Sequence, residues 1–364
     1  MKKIILRMLN FPQRILVRWK RGSLRYFRPS VPRLGFGGVL ERKSLIHGGA
    51  VKLLSLRGAF SSDEKSFNIL YLVSSAQPKF AEDLVSVCRK RGISFVWNQN
   101  GVGYPAWAGR DSEQYNAPMR RLREQAEYVI YQSSFCREAA EKFLGPSSVP
   151  SEVLFNPVNL QKFIPLQERA LLSPLRLLTL GTHGYAERVF STLQCLKIVR
   201  DAGQEAVLTI AGKFQWPHGE LSVHEEIERL GITSWVTLLP PFTQNQAIEL
   251  YQSHHIVLHP KYLDPCPTVV VEALAAGCPV IGSATGGLPE LVTNDCGFLI
   301  PAPISWEQMV TPTGAELAEG VMNILPRWEA AAIAARARAV ALFDEERWVE
   351  RHREIFSSLL QNKK

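Results

Sequence analysis

No apolar run in this chain of 364 residues approaches the roughly 20 needed to cross a bilayer, so no membrane-spanning helix is expected. Cysteine is sparse. The six (Cys88, Cys136, Cys195, Cys266, Cys278 and Cys296) are scattered and form no C-x-x-C pair. The opening MKKIILRML imitates a signal peptide, but Arg7, Pro12 and Arg14 interrupt any apolar core and no small-residue cleavage site follows. Without an export signal the thiols are expected to be reduced, as in a cytoplasmic protein. Acid is missing from one place only: residues 1–40 hold ten Lys/Arg and no Asp or Glu before Glu41.

That asymmetry accounts for the net charge of +8, because the rest of the chain carries 32 basic against 34 acidic residues. Ile4, Leu9, Ile15, Leu16, Trp19, Leu24, Tyr26 and Phe27 are interleaved with the basic residues. Mixed basic, aliphatic and aromatic side chains suit an interfacial segment on anionic lipid, where each Lys/Arg contributes about 1 kcal/mol at best. Residues 1–40 are therefore expected to meet an anionic membrane surface, peripherally and on the cytoplasmic face. The plainer alternative is a loosely docked basic tail. No nucleic-acid motif accompanies the charge, and no nucleic-acid partner is expected.

At 364 residues, with 46% apolar and 21% charged content, two globular domains are expected. Short β-branched runs bounded by Gly, Pro and Asn alternate with amphipathic stretches. Strand-like runs include 68–73, 94–98, 128–131, 175–180, 206–211, 255–259 and 279–282. Helix-like stretches include 49–56, 79–90, 134–143, 188–201, 244–253 and 268–276. This is the α/β pattern of parallel sheets with helices on both faces. The alternation pauses at 156–174, where three prolines suggest a linker. The expected organisation is a basic amphipathic arm over 1–42, an N-terminal Rossmann-like domain over 43–165 with 345–364, and a C-terminal one over 170–344. Two such domains would face each other across a cleft.

The most informative stretch is 264–290, DPCPTVVVEALAAGCPVIGSATGGLPE. Asp264 precedes Glu272 by eight positions. A proline-punctuated turn opens a short apolar helix, a strand follows, and then a Gly-Gly turn and Glu290. Glu272 follows three valines on a helix that should be largely buried, so its carboxylate needs hydrogen-bond partners. It is placed to accept from both hydroxyls of a ribose, or merely to sit well with the helix dipole. Asp264 is a candidate acceptor for a sugar hydroxyl; an Asp before Pro is also an ordinary turn residue. The backbone N–H groups of Cys266, Thr268 and Val269 open the helix, a ready site for an anion. Gly286 and Gly287 permit a close backbone approach. The loop LGTHGYAER (180–188), with Gly181, Thr182 and Arg188, follows the first strand of the second half. Arg188 there and Lys213 on the next loop are candidate cations for a pyrophosphate.

These residues resemble a known family. The 264–292 motif, LFNPVNLQKFIP (154–165) and HGGAVKLL (47–54) look like family 4 of the retaining glycosyltransferases, of GT-B fold, over about residues 45–345. WNQNGVGYP (97–105) and YVIYQSSFCREAAEKFLG (128–145) resemble a bacterial subgroup. The resemblance implies a nucleotide-diphosphate sugar (UDP, GDP or ADP) bound chiefly by the C-terminal domain, with the acceptor on the N-terminal domain. It also implies a last helix that crosses back to the N-terminal domain. Departures from the family pattern are Asp264 for the usual Glu, Pro265 and Pro267 for glycines, and Thr182 for a cation, which leaves Arg188. The family's first N-terminal strand is not recognisable before His47.

The resemblance further implies retention by front-face attack, the departing phosphate taking the acceptor's proton. The N-terminal domain would then supply polar positioning from His47, Gly48, Gly49, Asn98, Gln99 and Asn100, unless the asparagines are turn residues. No D-x-D occurs, so no metal and no cofactor is expected. His254, His255 and His259 are close in sequence but lack an accompanying carboxylate, which argues against ligation. The expected function is metal-independent transfer of a sugar to a glycan or lipid-linked acceptor, in cell-surface polysaccharide assembly. The rivals are another GT-B enzyme (epimerase or phosphorylase) and a catalytically silent nucleotide-sugar-binding protein.

Overall fold

A computed structural model describes residues 25–26, 30–40, 49, 51–165 and 173–362. The chain divides into two units. One runs to Leu154 and includes the residues from Glu346 onward; the other is Phe155–Glu345. Among the described residues, no helix is long and apolar enough to cross a membrane.

In the first unit, β2 (Arg33–Gly35), β3 (Ser61–Ser62), β5 (Ile69–Val73), β6 (Ser94–Gln99), β7 (Tyr128–Tyr131) and β8 (Ser151–Val153) form a parallel sheet in the order β3-β2-β5-β6-β7-β8. A short separate pair joins β1 (Arg25–Tyr26) to β4 (Ser66–Phe67). Every residue of β5 and β6 is buried, as helices on both faces of a parallel sheet require. The last helix, Glu345–Gln361, contributes Trp348, Ile355 and Phe356 to the core around Leu34, Leu53, Tyr71 and Val96.

Two boundaries differ from expectation. Arg33–Gly35 lies within the span assigned to an arm, yet it is a sheet strand with Leu34 fully buried. Three residues inside a basic stretch are too few to show a period. Residues 156–165 belong to the second unit rather than to a free linker. Arg336 donates to the carbonyls of Leu160 and Phe163 there, at 3.0 and 2.7 Å. The remainder of the stretch, 166–172, lies outside the described residues.

In the second unit β9 (Leu175–His183), β10 (Ala206–Phe214), β11 (Val236–Leu239), β12 (Ile256–His259), β13 (Val280–Ser283) and β14 (Gly297–Ile300) form an all-parallel sheet in the order β11-β10-β9-β12-β13-β14. Numbered from its own first strand, that is 3-2-1-4-5-6, the doubly wound order, and it reverses between β9 and β12. Those two strands pair only at Leu177↔Ile256 and Leu178↔Val257. Beyond that point β9 follows β10 as far as His183↔Phe214, while β12 follows β13 as far as His259↔Gly282. The strands therefore part toward their C-terminal ends, which is where open α/β sheets bind ligands.

The helix Thr268–Ala275 leaves β12 at this place and is buried almost all round, with Val270, Val271, Ala273, Leu274 and Ala275 at zero exposure. Ala335 and Ala339 of the helix Trp328–Leu342 share its core cluster, their small side chains permitting close packing. Arg336, between them, donates to the carbonyl of Ala275 at 2.8 Å and so satisfies an orphan acceptor at the C-terminus of Thr268–Ala275.

Candidate active site

Asp264 sits on the turn that connects β12 to the helix Thr268–Ala275. The turn is held from beneath by the segment after β13. Gly287 N–H donates to the Asp264 carbonyl at 2.9 Å, and Leu263 N–H donates to Thr285 Oγ1 at 3.1 Å. Gly286 has φ +68, and a Cβ there would come within 2.6 Å of the Asp264 carbonyl oxygen, so the close approach requires glycine. Leu263 has φ +49, a strained value for a branched side chain that the surrounding bonds impose. The Gly-Gly turn thus fixes where Asp264 stands.

Asp264 is 7% exposed. Lys261 Nζ lies 2.7 Å from its Oδ2, and His259 Nε2 is 3.4 Å from the same oxygen. Burial alone would raise its pKa, but Lys261 and His259 hold it well below the usual carboxylate range. Both contacts fall on Oδ2, and among the described residues none bonds Oδ1. The carboxylate is therefore ionised, oriented, and has an acceptor atom to spare.

Glu272 lies one turn into the helix and is also 7% exposed. Tyr251 Oη is 3.1 Å from its Oε2, and Gln244 Nε2 donates to Oε1 at 3.5 Å. Burial pushes its pKa up to about 7, with Tyr251 and Gln244 only partly offsetting this. Tyr251 Oη also lies 3.0 Å from the Val269 carbonyl. A phenol has one proton, so it cannot donate to both oxygens fully. A protonated Glu272 that donates to the phenol, which in turn donates to Val269, satisfies every group. The Glu272 carboxyl is thus poised between its two forms at neutral pH.

The other expected residues of the second unit lie on this turn, on the start of the helix after it, on β9 and β10, and on the helix after β9. Cys266 is buried; its carbonyl accepts from Asn156 Nδ2 at 2.7 Å and its sulfur from Asn156 N–H at 3.5 Å. Thr268 and Val269 open the helix, where first-turn N–H groups have no intrahelical acceptor. A Cβ on Gly181 would stand 3.6 Å from Val269 Cγ1, which places β9 against the helix start. Thr182 pairs in register with Lys213, and both are exposed. Strand β9 runs three residues past the expected end at Leu180, so Gly181 and Thr182 are strand rather than loop. Lys213 is likewise on β10 rather than on a loop. Arg188 lies in the first turns of the helix Ala186–Asp201, stacked over Tyr185 at 4.6 Å and within reach of Met309 Sδ at 3.3 Å. Its charge acts on His183 and His259.

The expected residues of the first unit form a separate group. His47 and Gly48 lie outside the described residues. Asn98, Gln99 and Asn100 are buried, and their amides are engaged internally. Lys52 Nζ donates to Asn98 Oδ1 (2.6 Å), Asn100 Oδ1 (2.8 Å) and Gln132 Oε1 (3.4 Å). Asn98 Nδ2 donates to Tyr71 Oη, which donates to His352 Nε2, whose Nδ1–H donates to the Trp348 carbonyl. Gln99 takes the indole N–H of Trp97 and donates to the carbonyls of Asn100 and Gly101. Neither turn chemistry nor an outward-facing polar edge describes them; they fix Lys52 and tie the sheet to the last helix. Gly49 packs where a Cβ would overlap Asn100 and Ser75. Lys52 was not singled out from the sequence, because nothing in VKLLSL marks a buried lysine.

Sequence reasoning also passed over Lys261, Tyr251 and Asn156. Lys261 stands three residues before Asp264, a spacing that allowed an ion pair on a turn. His259 was weighed only as a metal ligand. The three clustered histidines in fact have different surroundings. His254 bonds Thr209 and Leu250, His255 accepts from Arg176 N–H, and His259 faces Asp264.

Residues 167–312 match the family model described as Glycosyl transferases group 1. The D-inositol 3-phosphate glycosyltransferase of Mycobacteroides abscessus is 41% identical over 73 residues, 20% of this chain and 16% of that protein. The enzyme of the same name from Mycobacterium leprae is 42% identical over 67 residues, 18% of this chain and 16% of that one. The aligned segment thus spans about a sixth of the length of these curated relatives. HepE from Anabaena, solved in complex with UDP, superposes with a TM-score of 0.68 at 16% identity, over 90% of this chain and 98% of that one. Sucrose-phosphate synthase from Thermosynechococcus elongatus gives 0.65 at 17% identity, over 81% and 74%. At such identities the structural likeness speaks for the fold. The chain is therefore a two-domain α/β protein of GT-B fold, and its residues 167–312 are similar to the glycosyl transferases group 1 family.

Proposed function

We propose that the protein is a metal-independent, retaining glycosyltransferase of family 4 that moves a sugar from a nucleotide-diphosphate donor to a glycan or lipid-linked acceptor. The observation that carries this reading is the pair of buried carboxylates, Asp264 and Glu272, on a turn and helix at the point where the sheet order reverses. Glu272 accepts from the two ribose hydroxyls, and Asp264 Oδ1 accepts from the sugar. The N–H groups of Thr268 and Val269, with Lys213 and Arg188, meet the diphosphate. Negative charge grows on that diphosphate as the glycosidic bond breaks, and fixed donors and cations there lower the barrier without a protein nucleophile. HepE was solved with UDP and with UDP-glucose, which supports a uridine nucleotide as the first donor to try.

We assign the acceptor side to the first unit, with His47 as its polar positioning group. The basic segment 1–24 supports attachment to an anionic membrane on the cytoplasmic face, as enzymes of cell-surface polysaccharide assembly would need. The test is transfer of labelled sugar from a pool of UDP-, GDP- and ADP-sugars to a membrane extract. Wild type is expected to label a lipid or glycan product and Glu272→Ala to lose at least about a hundredfold in rate, the cost of leaving two ribose hydroxyls unmatched. Full activity in Glu272→Ala ends the site assignment. Nucleotide binding without turnover favours the silent binding protein instead.

A further inference from the structure

Among the described residues of the first unit, Val31, Trp107 and Tyr115 are the large apolar side chains that stand exposed. Two of them are neighbours. Trp107 is 39% exposed and Tyr115 47%, and their ring centroids lie 5.2 Å apart at an interplanar angle of 45°. Trp107 belongs to the short helix Pro105–Ala108, and Tyr115 to the first turn of the helix Ser112–Gln125. Both follow on β6, which ends at Gln99. The pair therefore lies at the C-terminal edge of the first unit's sheet, the edge at which parallel sheets bind ligands.

The connection that carries the two rings is fixed. Asn116, 3% exposed, closes on Gly103, accepting its N–H at 2.7 Å and donating to its carbonyl at 2.7 Å. A Cβ on Gly103 would meet the Ser112 carbonyl oxygen at 2.8 Å, so this close approach needs glycine. The Trp107 indole N–H donates to the Val102 carbonyl at 2.9 Å, and buried Tyr104 makes a T-shaped contact with the indole, centroids 6.1 Å apart. The side chain's only polar atom is thus turned inward, and ring carbon is what meets solvent. Two aromatic rings already held in place lose little freedom when a ligand lies on them.

The other exposed side chains of 101–115 are Arg110, Asp111, Glu113 and Gln114. None is aliphatic, whereas the centre of a protein interface is a continuous apolar core. One positive charge stands against two negative ones, a balance that does not attract anionic lipid or nucleic acid. A pyranose ring matches both features. Its C–H face covers an aromatic ring, and its hydroxyl edge bonds to carboxylate and amide groups beside that ring. We infer that Trp107 and Tyr115 form a stacking platform for a sugar ring of the acceptor, so that the protein extends a glycan already begun rather than placing the first sugar on a lipid phosphate. The acceptor role rests on the glycosyl-transfer reading given above; the binding of a sugar ring at this platform does not.

The experiment is saturation-transfer NMR of the full chain, with the methyl α- and β-glycosides of glucose, galactose, mannose, rhamnose and N-acetylglucosamine as probes. Wild type is expected to bind at least one of them, with transfer strongest to the C–H protons of one ring face. Trp107→Ala and Tyr115→Ala are each expected to lower that affinity about fivefold or more, the loss of one stacked ring. Trp107→Phe, which keeps a ring, is expected to stay within about twofold of wild type. Affinity for UDP, GDP and ADP is expected to be unchanged in all three, because the donor residues belong to the second unit. Should Trp107→Ala lower the melting temperature, Tyr115→Ala, at the more exposed position, carries the test.

A wild-type protein that binds a nucleoside diphosphate but none of the glycosides overturns the platform and leaves the donor reading standing. So does a glycoside affinity that is unchanged in a folded Trp107→Ala or Tyr115→Ala. Binding to phosphatidylglycerol vesicles that falls in these variants, with glycoside affinity intact, marks a membrane contact and overturns it as well. Glycosides held by Trp107 and Tyr115 in a chain that binds no nucleotide uphold the platform and end the transferase reading.

Discussion

Glu272 is a carboxyl that burial holds at a pKa of about 7. A group raised in this way opposes folding when it ionises. Its unfavourable contribution is absent below its unfolded pKa near 4.5 and grows as pH rises toward 7, reaching on the order of 3 kcal/mol. Glu272→Gln is therefore expected to raise the melting temperature at pH 8 and to leave it nearly unchanged at pH 4.5; a variant less stable than wild type at pH 8 contradicts the assignment. Two ribose hydroxyls donating to Glu272 favour its charged form, so binding near pH 7 should expel part of a proton. Titrating the nucleotide in buffers of different ionisation enthalpy measures this directly. Enthalpies independent of buffer would mean that the ligand does not meet Glu272.

At the scale of elements, the turn 260–267 is only as good as the segment beneath it. Gly286→Ala puts a methyl group against the Asp264 backbone at a positive φ and is expected to cost about 1–3 kcal/mol. It should also weaken donor binding without removing a contact residue; equilibrium unfolding together with nucleotide titration checks both. This element was legible in the sequence because Asp264-x7-Glu272 and a Gly-Gly pair are spaced as a turn, a helix and a turn require. The strand at 128–131 and the helix 244–253 were legible too, having clear periods and clear stops. The helix Ser112–Gln125 was not. Pro118 inside it and a sparse apolar stripe of Met119 and Leu122 conceal it, and its packing against the sheet overrides local preference. The amides of 98–100 were recognised as notable but assigned the wrong setting, because a sequence does not show that a lysine 46 residues away from Asn98 lies beside it. Lys52→Met leaves three buried amide oxygens short of a donor and is expected to destabilise the first unit by about 2–4 kcal/mol, read by chemical unfolding.

At the scale of the molecule, each unit buries a neutral histidine. His352 in the first is held at about 3 and His183 in the second at about 4, burial being the main cause in both. A histidine whose folded pKa is depressed must gain a proton to match the unfolded chain, so stability is lost as pH falls from 6.5 toward 4. Asp264 adds a further loss below about 3.8, whereas Glu272 acts in the opposite sense between 7 and 4.5. The melting temperature is expected to drop on acidification through pH 6.5–4, and to drop more steeply in Glu272→Gln. The basic segment has its own test: deleting residues 1–24 should abolish binding to anionic liposomes while leaving nucleotide affinity unchanged. Retained liposome binding removes the membrane role. Asp264 and Glu272 are proposed to hold opposite ends of one activated sugar. The decisive measurement is calorimetric titration of Asp264→Asn and Glu272→Gln with the preferred nucleoside diphosphate and its sugar nucleotide. Glu272→Gln is expected to lose affinity for both ligands by roughly tenfold or more, and Asp264→Asn to lose only the sugar's share. Wild-type affinities in both variants would contradict it.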